Sequence, residues 1–180
     1  MSRMKQTLRF LPVTFIAASA VAFLAGCGGE KASASTAANS DGAVAAQEQP
    51  TLTPDRFINV TANDQMKFNR NEIKAKAGQV LSVTLTNEGT MPKFSMGHNF
   101  VVLQQDTDQE QFLEAAMTQA GNDYLPKEFQ SSIIAATKLL GGGESDTIVF
   151  QLPEKPGKYP FLCSFPGRYQ VGMSGVIVVE

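Results

Sequence analysis

The sequence predicts an all-β fold, a sandwich of Greek-key type with about eight strands and one helical insertion. Three observations carry that expectation. Short apolar runs rich in Val, Ile, Phe and Thr recur over residues 57–103 and 147–179, several of them alternating with polar residues. Gly, Pro and Asn turn signals separate them. In one place only, residues 107–118, does the apolar spacing switch to that of a helix. Many short strands with such turns fit a sandwich.

Taken in order, residues 57–60 form a short extended run and residues 66–68 another. Residues 72–77 alternate, and residues 79–86 are strongly β-branched with period two. The stretch Asn87-Glu-Gly-Thr90 turns the chain into a further strand at 99–103. Phe112, Leu113, Ala116 and Met117 then share one helical face behind Asp108, a candidate N-cap. Residues 129–140 are a looser apolar stretch that ends at Gly141-Gly-Gly143. Strands resume at 147–152, 157–162 and 176–179.

The chain of 180 residues is 43% hydrophobic and 18% charged, which suits one ordinary domain plus a tail. A net charge of -2 without a basic cluster leaves no electrostatic footprint for nucleic acid. The first 27 residues are expected to be a secretory signal, with Arg3, Lys5 and Arg9 ahead of an apolar stretch at 10–24. That segment ends in Leu24-Ala-Gly-Cys27, which resembles a bacterial lipobox. Lipidation of Cys27 would tether the chain to a membrane without a spanning helix. Gly28 stands where inner-membrane retention would call for Asp, so a periplasm-facing outer-membrane location is expected. Residues 28–53, rich in Ala, Ser, Gly and Gln, read as a flexible linker, and residues 54–180 as the folded domain.

With Cys27 lipidated, Cys163 is a lone thiol in an oxidising compartment, with no disulfide partner. It sits in a loop, between two strands, that also carries a Pro-Gly turn and Met173. A thiol and a thioether in one such loop are suited to a soft metal. A small buried hydrophobe is the plainer reading of Cys163.

Four ordered stretches carry a resemblance. They are Asn63-Asp-Gln-Met-Lys-Phe-Asn69, Met91-Pro-Lys-Phe-Ser-Met-Gly-His-Asn-Phe100, Thr137-Lys-Leu-Leu-Gly-Gly-Gly-Glu-Ser-Asp146 and Phe161-Leu-Cys-Ser-Phe-Pro-Gly167. Together they resemble the azurins, small cupredoxins of bacterial electron transport, over residues 57–180. The resemblance implies the eight-stranded cupredoxin sandwich with a helical flap over residues 107–140. The structural disulfide of that family has no counterpart here.

It also implies a copper site, one ion per chain, in which Gly97 supplies a carbonyl, His98 an imidazole, Cys163 a thiolate and Met173 an axial thioether. Asn99 and Ser164 match the residues whose hydrogen bonds pin the ligand loop. The pattern then breaks. The second imidazole of the family comes five residues after the Cys, where this chain has Arg168, and His98 is its 1 His. A guanidinium has no lone pair to give a metal. The family's Met comes nine residues after the Cys, where this chain has Gly172, one position before Met173. A water, Tyr169, Gln170 or a partner's side chain would have to complete a blue-copper site. Alternatively, His98, Cys163 and Met173 would hold Cu(I), which suits three soft or borderline donors.

Met96, Phe165 and Tyr169 are expected to form an apolar patch for transient redox partners, although Met91, Phe94 and Met96 also read as core. Arg168 reads either as a solvated loop charge or as an anchor for an acidic partner or anion. Three functions compete: a monomeric one-electron carrier, a copper-handling lipoprotein, and a metal-free interaction module. No enzymatic activity is expected. A Cys163–His98 thiolate–imidazolium pair would be the only candidate nucleophile, and no orienting carboxylate accompanies it.

Overall fold

The computed structural model describes residues 52–180. The expected signal segment with Cys27, and all of the linker but its last residues, lie outside the described part. Eight strands form two sheets. The first sheet joins β1 (Arg56–Ala62), β3 (Val80–Asn87) and β6 (Ser145–Gln151) in the order β1-β3-β6. The second joins β2 (Glu72–Ala75), β4 (Val101–Leu103), β5 (Ile133–Ala136), β7 (Gly157–Leu162) and β8 (Ser174–Val179) in the order β2-β8-β7-β4-β5. β1 runs parallel to β3 and β2 parallel to β8, while the remaining pairs are antiparallel. The expected all-β sandwich of about eight strands is what the chain adopts.

Period-two alternation decides which faces meet. In β1, Ile58, Val60 and Ala62 are buried, and in β3 Leu81, Val83 and Leu85 point the same way. Between the sheets Phe100 and Phe161 pack with ring centres 4.7 Å apart, and Phe68 closes on both. Each fully buried Phe contributes about 1.5–3 kcal/mol of burial. β4 is buried on both faces. Phe100 and Val102 face the sandwich, whereas Val101 and Leu103 face Phe112 of the helix α2 (Gln109–Ala116). Asp108 caps α2 as expected, accepting from the backbone N–H of Glu110 at 3.0 Å and Gln111 at 3.1 Å.

Three local expectations are corrected. The flap over 107–140 is helical only through α2 and short 3-10 turns at Ala120–Asn122 and Lys127–Ser132, after which β5 joins the sheet edge. Pro126 starts the second of these turns, and the β-branched Ile133-Ile134 opens β5, where Ile133 pairs with Leu103 of β4 instead of continuing a helix. Residues 66–68 form no strand. Asn63 accepts from Gln65 and Met66, Met66 takes a left-handed φ of 58°, and Phe68 makes a single bridge to Ala62. Inside the Met91–Phe100 stretch lies a four-residue helical turn, α1 (Lys93–Met96). No helix among the described residues is long and apolar enough to cross a membrane.

This topology brings three expected ligands to one end of the second sheet. His98 precedes β4, Cys163 follows β7 and Met173 precedes β8. Val101 faces Leu162 and Leu162 faces Ser174 across the antiparallel ladders, so all three positions share an edge.

Candidate metal centre

The loop between β7 and β8 closes on itself. The backbone N–H of Cys163 donates to the Met173 carbonyl at 3.1 Å, and that of Met173 to the Arg168 carbonyl at 3.0 Å. Gly167 and Gly172 bend it with left-handed φ values of 83° and 87°. A side chain would have space at both but would be strained by the backbone, so glycine is needed for conformation.

His98 and Cys163 are both fully buried. The Nε2 of His98 lies 3.0 Å from the Asn63 carbonyl, which can only accept, so Nε2 carries the proton. Nδ1 is left with its lone pair and lies 3.9 Å from the Cys163 sulfur. Burial and, after it, the charge of Arg168 push the His98 imidazole down to about 4, against the Asn63 carbonyl and Asp64. Burial pushes the Cys163 thiol up to about 11, partly opposed by hydrogen bonds and by Arg168. The metal-free pair is a neutral thiol beside a neutral imidazole, not the thiolate–imidazolium pair that activates a nucleophile.

Asn99 locks the His98 and Cys163 segments together. Its Nδ2 donates to the Ser164 hydroxyl and to the Asp123 carbonyl, both at 2.8 Å, while its Oδ1 accepts from the Ser164 N–H at 2.8 Å. Gly97 is buried with an ordinary extended backbone. A Cβ there would meet the Lys93 carbonyl oxygen at 2.5 Å and the Leu139 side chain at 2.9 Å, so the close approach of α1 requires glycine.

Arg168 departs from the solvated reading. It is 7% exposed and folds back over the site. Nη2 donates to the Ser95 carbonyl at 2.9 Å and lies 3.2 Å from the Met96 sulfur. Nη1 sits 3.5 Å from the Pro166 carbonyl, and the guanidinium carbon lies 4.5 Å from the Phe165 ring centre. Nε–H is buried without a partner. No carboxylate pairs with it among the described residues, where the ion pair is Lys93–Glu144.

Residues 56–180 match the family of copper-binding proteins described as plastocyanin/azurin. The chain belongs to this family. It is 35% identical to the azurin of Pseudomonas aeruginosa over 134 residues, which cover 73% of this chain and 89% of that one. It is 36% identical to the outer membrane protein H.8 of Neisseria gonorrhoeae over 124 residues, 67% of this chain and 66% of that one. Among solved structures, a dithionite-reduced auracyanin from Roseiflexus castenholzii superposes with a TM-score of 0.63 at 34% identity, covering 71% of this chain and 99% of that one.

The donors present suit a soft member of the copper chemistry that this family carries. His98 offers a lone-pair nitrogen, Cys163 a sulfur, and Met173, fully buried in the same cluster, a thioether. Where the resemblance implies a second imidazole, the buried Arg168 offers only donors. Tyr169 is half-buried and Gln170 exposed, both in a 3-10 turn (Tyr169–Val171). Among the described residues no group of three or more His, Cys, Asp or Glu stands ready for a harder ion.

The expected apolar patch is altered too. Phe165 is buried against Tyr124 and beneath Arg168, and Met96 is half-buried and engaged by Arg168. Phe94, read as a core candidate, is instead 83% exposed, and Met91 is also exposed. Sequence reasoning missed the contact of Arg168 with Ser95 and Met96. No local pattern signals it, because its acceptors lie on a turn 73 and 72 residues away.

Proposed function

We propose that this protein is an azurin-like copper lipoprotein of the bacterial envelope that passes single electrons through a modified copper site. His98, Cys163 and Met173 would hold one copper, with the Gly97 carbonyl at its edge. Copper in such a site supplies a one-electron change between Cu(I) and Cu(II). The observation that carries the reading is the 3.9 Å approach of the lone-pair nitrogen of His98 to the buried Cys163 sulfur. The chain's own part is to keep water away from that pair, to fix the imidazole through Asn63, and to hold the thiol loop through Asn99. Residues 1–27, lipidated at Cys27, and the linker 28–53 would place the domain facing the periplasm. The similarity to outer membrane protein H.8 supports an envelope location. Incorporation of labelled acyl chains, lost in Cys27→Ser, tests the anchor.

Arg168 favours a second reading, a protein that holds or delivers Cu(I). A fixed positive charge beside the site disfavours the more highly charged ion, and one imidazole fewer does the same. Titration of the full chain with Cu(II) and separately with Cu(I), following visible absorption and stoichiometry, tests both readings. An intense thiolate-to-copper band would support the electron carrier. Tight one-to-one Cu(I) uptake without that colour would support copper handling. No uptake of either ion would overturn both and leave the fold as an interaction scaffold.

A further inference from the structure

Between α2 and the Cys163 loop runs a groove of about 300 Å³. Its apolar wall comes from Leu113 and Met117 on the helix and from Phe165 and Tyr169 on the loop. Its polar rim is formed by Glu110 and Glu114. Glu110 and Glu114 are four residues apart, as are Leu113 and Met117, so α2 presents a carboxylate stripe beside an apolar one. Neither carboxylate forms an ion pair among the described residues. From residue 94 to residue 126 the chain has no Lys or Arg, yet it carries Asp106, Asp108, Glu110, Glu114 and Asp123.

We infer that this groove docks a basic redox partner, which lays the stem of a Lys or Arg along Leu113 and Met117 and its charge between Glu110 and Glu114. This inference rests on the electron-transfer reading. A long cationic side chain has the required chemistry, an apolar stem with a charged tip. The groove also lies where an electron would leave. Ser164, the residue after Cys163, lines it, so a docked partner comes within one peptide of the thiolate. The face around Phe94 is a poorer match for such a partner, because Arg168 puts positive charge near it while Lys93 and Glu144 offset each other in an ion pair. The acidic field over α2 steers encounter and weakens as salt rises.

The test uses the full chain and a lysine-rich c-type cytochrome as the basic probe. Binding is read by titration at low and high salt, with and without copper. Wild type is expected to bind at low salt and to weaken steeply with added salt. Glu110→Lys with Glu114→Lys is expected to weaken low-salt binding about 10-fold or more and to flatten the salt dependence, with Glu110→Gln and Glu114→Gln giving an intermediate effect. Both positions are exposed on the helix, and circular dichroism confirms that the variants fold. Binding that is absent, insensitive to salt, or unchanged in the variants would overturn the inference and point to an apolar partner or a second copy in the groove. Electron transfer from the copper-loaded chain to a small neutral oxidant is measured separately. Its failure would count against the electron-transfer reading, while cytochrome binding still decides the groove.

Discussion

Arg168 reaches across 73 residues to donate a 2.9 Å hydrogen bond to the Ser95 carbonyl. That bond ties the loop carrying Cys163 to the turn that leads into Gly97 and His98, so these two segments are held at both Asn99–Ser164 and Arg168–Ser95. A residue that cannot ligate copper thus still organises the site. It also places a positive charge close enough to depress His98 and to oppose the rise of Cys163. Its stacking on Phe165 leaves that residue only 8% exposed.

Replacing this residue should convert the site. Arg168→His removes the charge and supplies an imidazole in the interval after Cys163 that the family uses. The variant is expected to bind Cu(II) about 10-fold or more tightly than wild type and to develop an intense visible thiolate-to-copper band. Absorption and equilibrium competition for copper measure both. An Arg168→His chain that stays colourless would mean that Met173, one position beyond the family spacing, fails to complete the site.

Asn99→Leu should destabilise the metal-free domain. The substitution leaves the buried Ser164 N–H and the Asp123 carbonyl without their partners, and each uncompensated group costs about 1–3 kcal/mol. A loss of about 2–4 kcal/mol in denaturant unfolding is expected, with weakened copper uptake alongside. A loss well under about 1 kcal/mol would show that water replaces the amide.

Much of the scaffold was legible because its signals are local. Period-two alternation marks β1 and β3, and Asp108 caps α2 where a short acceptor ahead of an apolar helical face should. His98 and Cys163 stood out through their immediate neighbours, and the antiparallel ladders carry them to one edge. β5 was hidden because an edge strand of four residues is defined by its partner β4, some thirty residues earlier, more than by its own pattern. Arg168 was hidden for the same reason. A charge on a loop reads as solvated, and only remote acceptors at Ser95 and Met96, with the Phe165 ring, make its burial tolerable.

Gly97→Ala tests the close packing of α1 on the site. The added Cβ would lie 2.5 Å from the Lys93 carbonyl oxygen, so the turn must shift. Overpacking of this kind costs about 1–3 kcal/mol. Because His98 follows directly, copper affinity is expected to fall as well. Gly121→Ala, where a Cβ would meet nothing within 4 Å, is the control and should be close to neutral.

The buried imidazole predicts how stability changes with pH in the metal-free protein. His98 is held near 4 when folded, against an ordinary value of 6.5, first by burial and then by Arg168. As pH falls below the ordinary value, the unfolded chain takes up a proton that the folded chain refuses, so unfolding is favoured. Stability is therefore complete above the ordinary value, declines as pH falls toward the folded value, and levels off below it. The gap corresponds to at most about 3 kcal/mol. Denaturant unfolding in the presence of a chelator, from about pH 7 to about pH 4, measures the slope. Arg168→Gln removes the second cause of the depression and should reduce that slope, whereas His98→Gln should abolish this component. An unchanged slope in His98→Gln would assign the acid sensitivity to the carboxylates, of which Asp64 and Glu144 are also held low, chiefly by Thr90 and Lys93 respectively.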